Sequence, residues 1–296
     1  MHIIDKSRVD CVLSETAQLG ECPVWHAEES CLYWTDIDGK TFNKFDPSSG
    51  QNTAIEVAER FGSFALREKG GFVVATENGF KLFDAKSNSL TAIDDPEGNK
   101  PNNRFNDGRC DRAGRFWAGT MVEKGEQVPD GGLYRLGADQ SCHKMVEDII
   151  LANSLAWSPD NNTMYFSDTR APMVWAYDFD LASGDISNQR NFIEFGEGDG
   201  VPDGAAVDSE GCFWLAQPRA WRICRYTPTG ELDTLIHLPV SKPTMCAFGG
   251  PDLKTLYITS ISTGLTAEEL APQPLAGGLF AIELDTQGLA EPKYAG

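Results

Sequence analysis

Six short segments of this chain repeat one pattern at a nearly constant interval: CLYWTD (31–36), GFVVAT (71–76), RFWAGT (115–120), TMYFSD (163–168), CFWLAQ (212–217) and TLYITS (255–260). Their third residues, Tyr33, Val73, Trp117, Tyr165, Trp214 and Tyr257, are 40, 44, 48, 49 and 43 positions apart. Each segment is rich in aromatic and β-branched side chains, which favour strands. A second strand ending in a turn follows each one, as in FNKFDPSSG and GLYRLGADQS. A shorter apolar strand and a polar turn, such as HAEES, DRAG or DSEG, precede it. No stretch of helical period and useful length intervenes. An all-strand unit recurring every 40–50 residues or so is the mark of a propeller blade. The expected fold is therefore all-β, a single six-bladed β-propeller over residues 1–296. A β-sandwich is the alternative, but its turns recur faster and without this internal likeness. Residues 8–15, RVDCVLSE, precede the first unit and are expected to add the strand that closes the last blade.

Composition limits the partners. With 25 Lys and Arg against 44 Asp and Glu, the net charge of −19 argues against nucleic acid or an anionic membrane. The start, MHIIDKSRVD, has no signal-peptide pattern, and no run approaches the ~20 apolar residues of a membrane span. Eight cysteines include no CxxC pair, and several lie in apolar runs where a thiol acts as a small hydrophobe. Free thiols suit a reducing compartment, so the expectation is a soluble, cytoplasmic protein. Oligomeric state is not legible.

In a propeller the first strand of every blade surrounds a central channel, so equivalent repeat positions converge on one axis. The turns at His26, Arg67, Asp111, Ser158, Asp208 and Gly249 align the six units. Five residues before each stand Glu21, Gly62, Asn106, Asn153, Asp203 and Thr244. Two carboxylates and two carboxamides form a hard oxygen-donor set for Ca²⁺, Mg²⁺ or Mn²⁺, with no Cys or His to favour Zn²⁺. Gly62 and Thr244 would leave coordination space for water or substrate. Strand side chains alternate, so the residue two earlier shares the same face. That step reaches Arg104, a candidate to fork onto a carboxylate or carbonyl oxygen. It also reaches Arg60 and Lys242, which would favour an anionic substrate if they face the mouth. Asp107, one residue out of register, is expected to point away from the axis.

At these residues the chain resembles the regucalcin/gluconolactonase family of six-bladed propellers. The matching stretches are LGECPVW (19–25), NRFNDGRCDRAGRFWAGTM (103–121), LANSLAWSPDNNTMYFSDT (151–169), VPDGAAVDSEGCFWLA (201–216) and CAFGGPDLKTLYITS (246–260). The resemblance implies one divalent metal held by Glu21, Asn153 and Asp203, calcium first, with zinc, magnesium and manganese open. It implies Asp203 as catalytic acid/base, Asn106 beside the metal and able to meet substrate, and Arg104 as a substrate contact. A glutamate follows the GTM run in the family; here Glu123 is the nearest match, with Lys124 its competitor. The activity implied is the opening of small-molecule sugar lactones to sugar acids.

A lactone is a cyclic ester, and the sequence has neither a GxSxG elbow nor a Ser-His-Asp arrangement. The four histidines (2, 26, 143, 237) fall outside the donor ring. Metal-assisted hydrolysis is the leading expectation. A calcium-binding regulatory or interaction propeller without turnover is the alternative of another class, and a phosphotriesterase-like hydrolase a third.

Overall fold

In a computed structural model that describes residues 1–171 and 173–296, every repeat forms an antiparallel meander of four strands, and six such sheets stand around one axis. Blade one runs Gly20–His26, Cys31–Asp36, Thr41–Asp46 and Gln51–Glu56 from the axis outward. The innermost strands of blades two to six are Phe61–Leu66, Asn103–Cys110, Ala152–Trp157, Ala205–Val207 and Pro243–Gly249. Each packs on the next, and the last returns to Gly20–His26.

The repeated segments read as unbroken apolar runs because neighbouring blades cover both faces of the second strand. Cys31–Asp36 and Thr255–Ser260 are buried throughout, whereas the outer strand Gln51–Glu56 is largely exposed. Six apolar clusters result, one at each blade interface. Between blades one and two Phe42 is surrounded by aromatic rings, with Phe72 at 4.7 Å and 66° and Phe64 at 4.9 Å and 74°. Edge-on aromatic pairs add about 0.5–1.5 kcal/mol each beyond the area they bury.

The hairpin turns explain another regularity of the sequence. In both Asp111-x-x-Gly114-x-x-Trp117 and Asp208-x-x-Gly211-x-x-Trp214 the aspartate is fully buried. Asp111 Oδ1 accepts the amides of Ala113 and Arg115 (2.9 and 3.1 Å), and its Oδ2 accepts the Trp117 indole N–H (2.8 Å). Asp208 repeats this with Glu210, Cys212 and Trp214. Gly114 and Gly211 take φ of 77° and 82°, a region other residues rarely enter.

Asp10–Leu13 pairs antiparallel with Leu279–Glu283, so the sixth blade is built from both ends of the chain, as the position of RVDCVLSE predicts. An addition was not anticipated. His2–Ile4 pairs in parallel with Thr234–Ile236 and gives blade five a fifth, outer strand. Three residues are too few to display a period. All eight cysteines are free thiols, six of them buried. No helix among the described residues is long and apolar enough to cross a membrane.

Candidate functional site

The strand pairing carries the register read from the repeats. Three residues after each aligned position, the inner strand pairs with the third residue of the repeated segment: Val24 with Tyr33, Ala65 with Val73, Arg109 with Trp117, Ala156 with Tyr165, Ala206 with Trp214, and Ala247 with Tyr257. Between these pairs and the channel mouth the inner strand carries an extra residue. Glu21 pairs with Thr35 and Val24 with Tyr33, so three steps on one strand match two on the other. Asn153 with Ser167 and Ala156 with Tyr165 repeat it. Such a bulge breaks alternation and re-aims side chains. Cys22 and Ser154, immediately after the two donors, take φ of 48° and 64°. Asp203 precedes its strand, its amide held by Ala216 O (3.1 Å), while the Gly204 amide donates to Thr244 O (2.8 Å).

A chain of hydrogen bonds orients the polar groups. Asn153 Nδ2 donates to Thr169 Oγ1 (2.7 Å), which fixes the carboxamide and turns Oδ1 toward Asn106 Nδ2 (3.1 Å). Asn106 Nδ2 also donates to Ala152 O (2.9 Å), and its Oδ1 accepts Arg104 Nη1 (3.1 Å). Arg104 Nη1 further donates to Phe105 O (2.9 Å) and Nε to Glu123 Oε1 (2.8 Å). These bonds leave Nη2 without a partner among the described residues. Of the two neighbours after the GTM run, Glu123 is the one joined to Arg104, and Lys124 is exposed.

Three carboxyls feel one another in the channel. Burial, then the Asp107 charge, pushes Glu21 up to about 8, with the Cys22 amide and Arg104 opposing. Burial, then Glu21 and Asp107, holds Asp203 well above the usual carboxylate range, and the Gly204 amide and Asn153 offset only part of it. Two desolvated carboxylates that repel each other, beside a carboxamide oxygen held in place, fit a hard divalent cation. Glu21, Asn153 and Asp203 are the residues that would hold it.

Several expectations need correction. Asp107 does not point away. Phe105 pairs with Thr120 and Gly108 with Ala118, so Asn106 and Asp107 share a bulge and alternation stops between them. The Asp107 carboxylate, 8% exposed, accepts the Leu155 amide (3.0 Å) and raises both Glu21 and Asp203. The signal was the doubled polar pair in FNDG, which a strict two-residue period cannot accommodate. Nor do Gly62 and Thr244 add free space of their own. A Cβ on Gly62 would lie 2.4 Å from Phe105 O, and the Thr244 hydroxyl is spent on Gly20 O (2.5 Å) and Thr259 Oγ1 (2.9 Å). Arg60 is not free for substrate. Its Nε donates to Glu77 (2.8 Å), and Nη1 and Nη2 fork onto Glu123 (2.6 and 2.8 Å).

A second acidic group, Asp208, Glu210 and Cys212, has ligand atoms within 4.8 Å of one another. Asp208 is already used by its turn, and the Arg225 guanidinium reaches Asp208, Glu210 and Asp233 at once. That cation offsets part of the cluster's charge and ties it into a structural knot of blade five.

The six sheets and the polar groups on their axis define a six-bladed β-propeller with a polar channel. The chain belongs to the SMP-30/gluconolactonase/LRE-like family, whose model matches residues 19–262. It is 42% identical over 287 residues to a 6-deoxy-6-sulfogluconolactonase of Pseudomonas putida, covering 97% of this chain and 98% of that one. It is 37% identical over 295 residues to the regucalcin of Xenopus laevis, covering 98% and 99%. Among solved structures, a calcium-binding protein, regucalcin, from Agrobacterium tumefaciens superposes with a TM-score of 0.94 at 27% identity, covering 99% of both chains. The class expected from the sequence, a carboxylic-ester hydrolase of the lactonase type, is the class of the first of these relatives.

Proposed function

We propose that this protein opens sugar lactones to sugar acids in the propeller channel, with Glu21, Asn153 and Asp203 holding a divalent cation and Asp203 serving as acid/base. The observation that carries the reading is convergence. Hydrogen bonds join Arg104, Asn106 and Asn153 near the start of their strands, and the Asp203 carboxyl feels both Asn153 and the Glu21 charge, which supports one shared site.

A divalent cation in this cradle supplies Lewis-acid polarisation of the lactone carbonyl. The protein does the rest. Arg104 Nη2 and Asn106 hold the lactone oxygens, so that attack becomes a reaction between positioned groups. Asp203 takes a proton from the attacking water at a carboxylate oxygen and returns it to the ring oxygen as the C–O bond breaks, an effect of ~10²–10⁴ in rate. The apolar blade interfaces keep the inner strands from moving, and Glu123 fixes Arg104.

The test follows acid release from aldono- and aldaro-lactones at neutral pH, before and after chelation, with Asp203→Asn beside wild type. Activity should fall at least a hundredfold in both perturbed samples. Full activity after chelation, or in the variant, would sink the mechanism. A calcium-binding propeller without turnover is the second reading, supported by the likeness to a solved calcium-binding protein. Calcium binding with no acid released from any lactone would establish it instead.

A further inference from the structure

Two residues before each aligned residue, at or just before the start of the inner strand, stand Leu19, Arg60, Arg104, Leu151, Val201 and Lys242. Three members are cationic, and two of those are already neutralised through Glu123 and Glu77. Lys242 is different. It makes no ion pair among the described residues, and its Nζ rests on the carbonyl oxygens of Thr263 and Gly264 (3.4 and 3.0 Å). Lys242 belongs to blade six and Arg104 to blade three, which stand opposite each other in a six-fold ring. Thr244, two residues on, is wedged between donors: its hydroxyl meets Gly20 O beside Glu21, and its carbonyl meets the Gly204 amide beside Asp203. The Lys242 Cα is thus no more than about 7 Å from that of Thr244, on the mouth side.

A second cation faces Lys242. Arg219, on the loop between the second and third strands of blade five, has its amide held by Ser241 O (2.7 Å). The two side chains line one cavity together with Trp221 and Ser241. The loop is bent into shape by two non-glycine residues in the left-handed region, Arg219 at 71° and Trp221 at 58°, a conformation uncommon for any such residue and an outlier for a bulky one. The Ser241 hydroxyl, buried in the wall, has no hydrogen-bond partner. The one carboxylate on this wall, Glu269, is turned back to accept the Thr266 amide (2.8 Å) in the cap of helix Ala267–Leu270. Burial, joined by the Arg219 charge, leaves the Lys242 amine below its ordinary range against the smaller opposing pull of Glu269.

We infer that Lys242 and Arg219 form an anion subsite that holds a carboxylate, sulfonate or phosphate on the exocyclic end of the lactone, across the mouth from Arg104. The subsite deepens the lactonase reading and rests on it for its substrate. In a chain of net charge −19, whose channel carries Glu21, Asp107 and Asp203, an anionic substrate needs such an unneutralised pair to offset repulsion at entry.

The test compares glucaro-lactone, with a carboxylate at its far end, and glucono-lactone, with a hydroxyl there. Wild type should favour the charged substrate in kcat/KM. Lys242→Met and Arg219→Met should each raise KM for it about ten- to hundredfold, the range of a lost charge-assisted hydrogen bond. Kinetics on glucono-lactone should be unchanged, and Lys242→Arg should keep the preference. Equal losses on both substrates, or no preference in wild type, would overturn the subsite. A turnover-free arm separates it from the hydrolase reading. Glucarate should raise the thermal midpoint of wild type more than gluconate does, and not that of Lys242→Met. If no lactone is opened, the hydrolase reading falls, and this difference alone upholds or overturns the anion site.

Discussion

Replacing Glu123 by Gln removes one negative charge from between two guanidinium groups and keeps the side-chain volume. Burial by itself would push the Glu123 carboxyl up; hydrogen bonds from Arg60 and then Arg104 pull it down to about 2. Against an ordinary glutamate near 4.3, that depression corresponds to roughly 3 kcal/mol of preference for the charged form. The side chain is 21% exposed, and solvent screening reduces the usable part to about 1–2 kcal/mol. The sign follows from the direction. A carboxyl depressed in the folded state contributes stability that is complete above the unfolded value and is lost as pH falls toward about 2. Urea unfolding should therefore place Glu123→Gln about 1–2 kcal/mol below wild type at pH 7, with more than half of the gap gone by about pH 3. The same variant should raise KM for a lactone more than it lowers kcat, because the bond on Arg104 Nε loses its charged acceptor while Asp203 is untouched. A gap that is absent at neutral pH, or that persists unchanged into acid, would refute the account of this ion triad.

Other perturbations have equally definite outcomes. Gly62→Ala sets a methyl 2.4 Å from Phe105 O and 2.8 Å from Asn106 O; it should cost about 1–3 kcal/mol by overpacking and lower activity with it, read by urea melts and rate together. Asp208→Ala strips the buried Arg225 and the Trp214 indole of a shared acceptor, and should cost about 3–5 kcal/mol, with no change in KM for the protein that stays folded. Calcium at a hundred times its dissociation constant should add about 2.7 kcal/mol of stability. That gain should vanish in Glu21→Gln, as scanning calorimetry with and without chelator would reveal.

The sequence by itself determined the ring. A strand pattern recurring at 40 to 49 residues can bury its two apolar faces only by stacking each sheet between neighbours, and six repeats close the circle. It also determined that Glu21, Asn106, Asn153 and Asp203 hold equivalent places in their blades, each three residues before an inner-strand residue that pairs with the repeated segment. What it could not determine was anything that depends on one blade's side chains meeting another's. Asp107 entered the channel through a bulge, which period-two reasoning has no means to represent. Gly62 lost its open space to the backbone of blade three, and Arg60 lost its freedom to Glu77 and Glu123, the latter 63 residues away in sequence. Lys242, at the position equivalent to Arg60, forms no ion pair among the described residues and rests on the carbonyls of Thr263 and Gly264. Sequence spacing gives the position of a charge, but only the packed ring decides which opposite charge lies within a few ångströms of it.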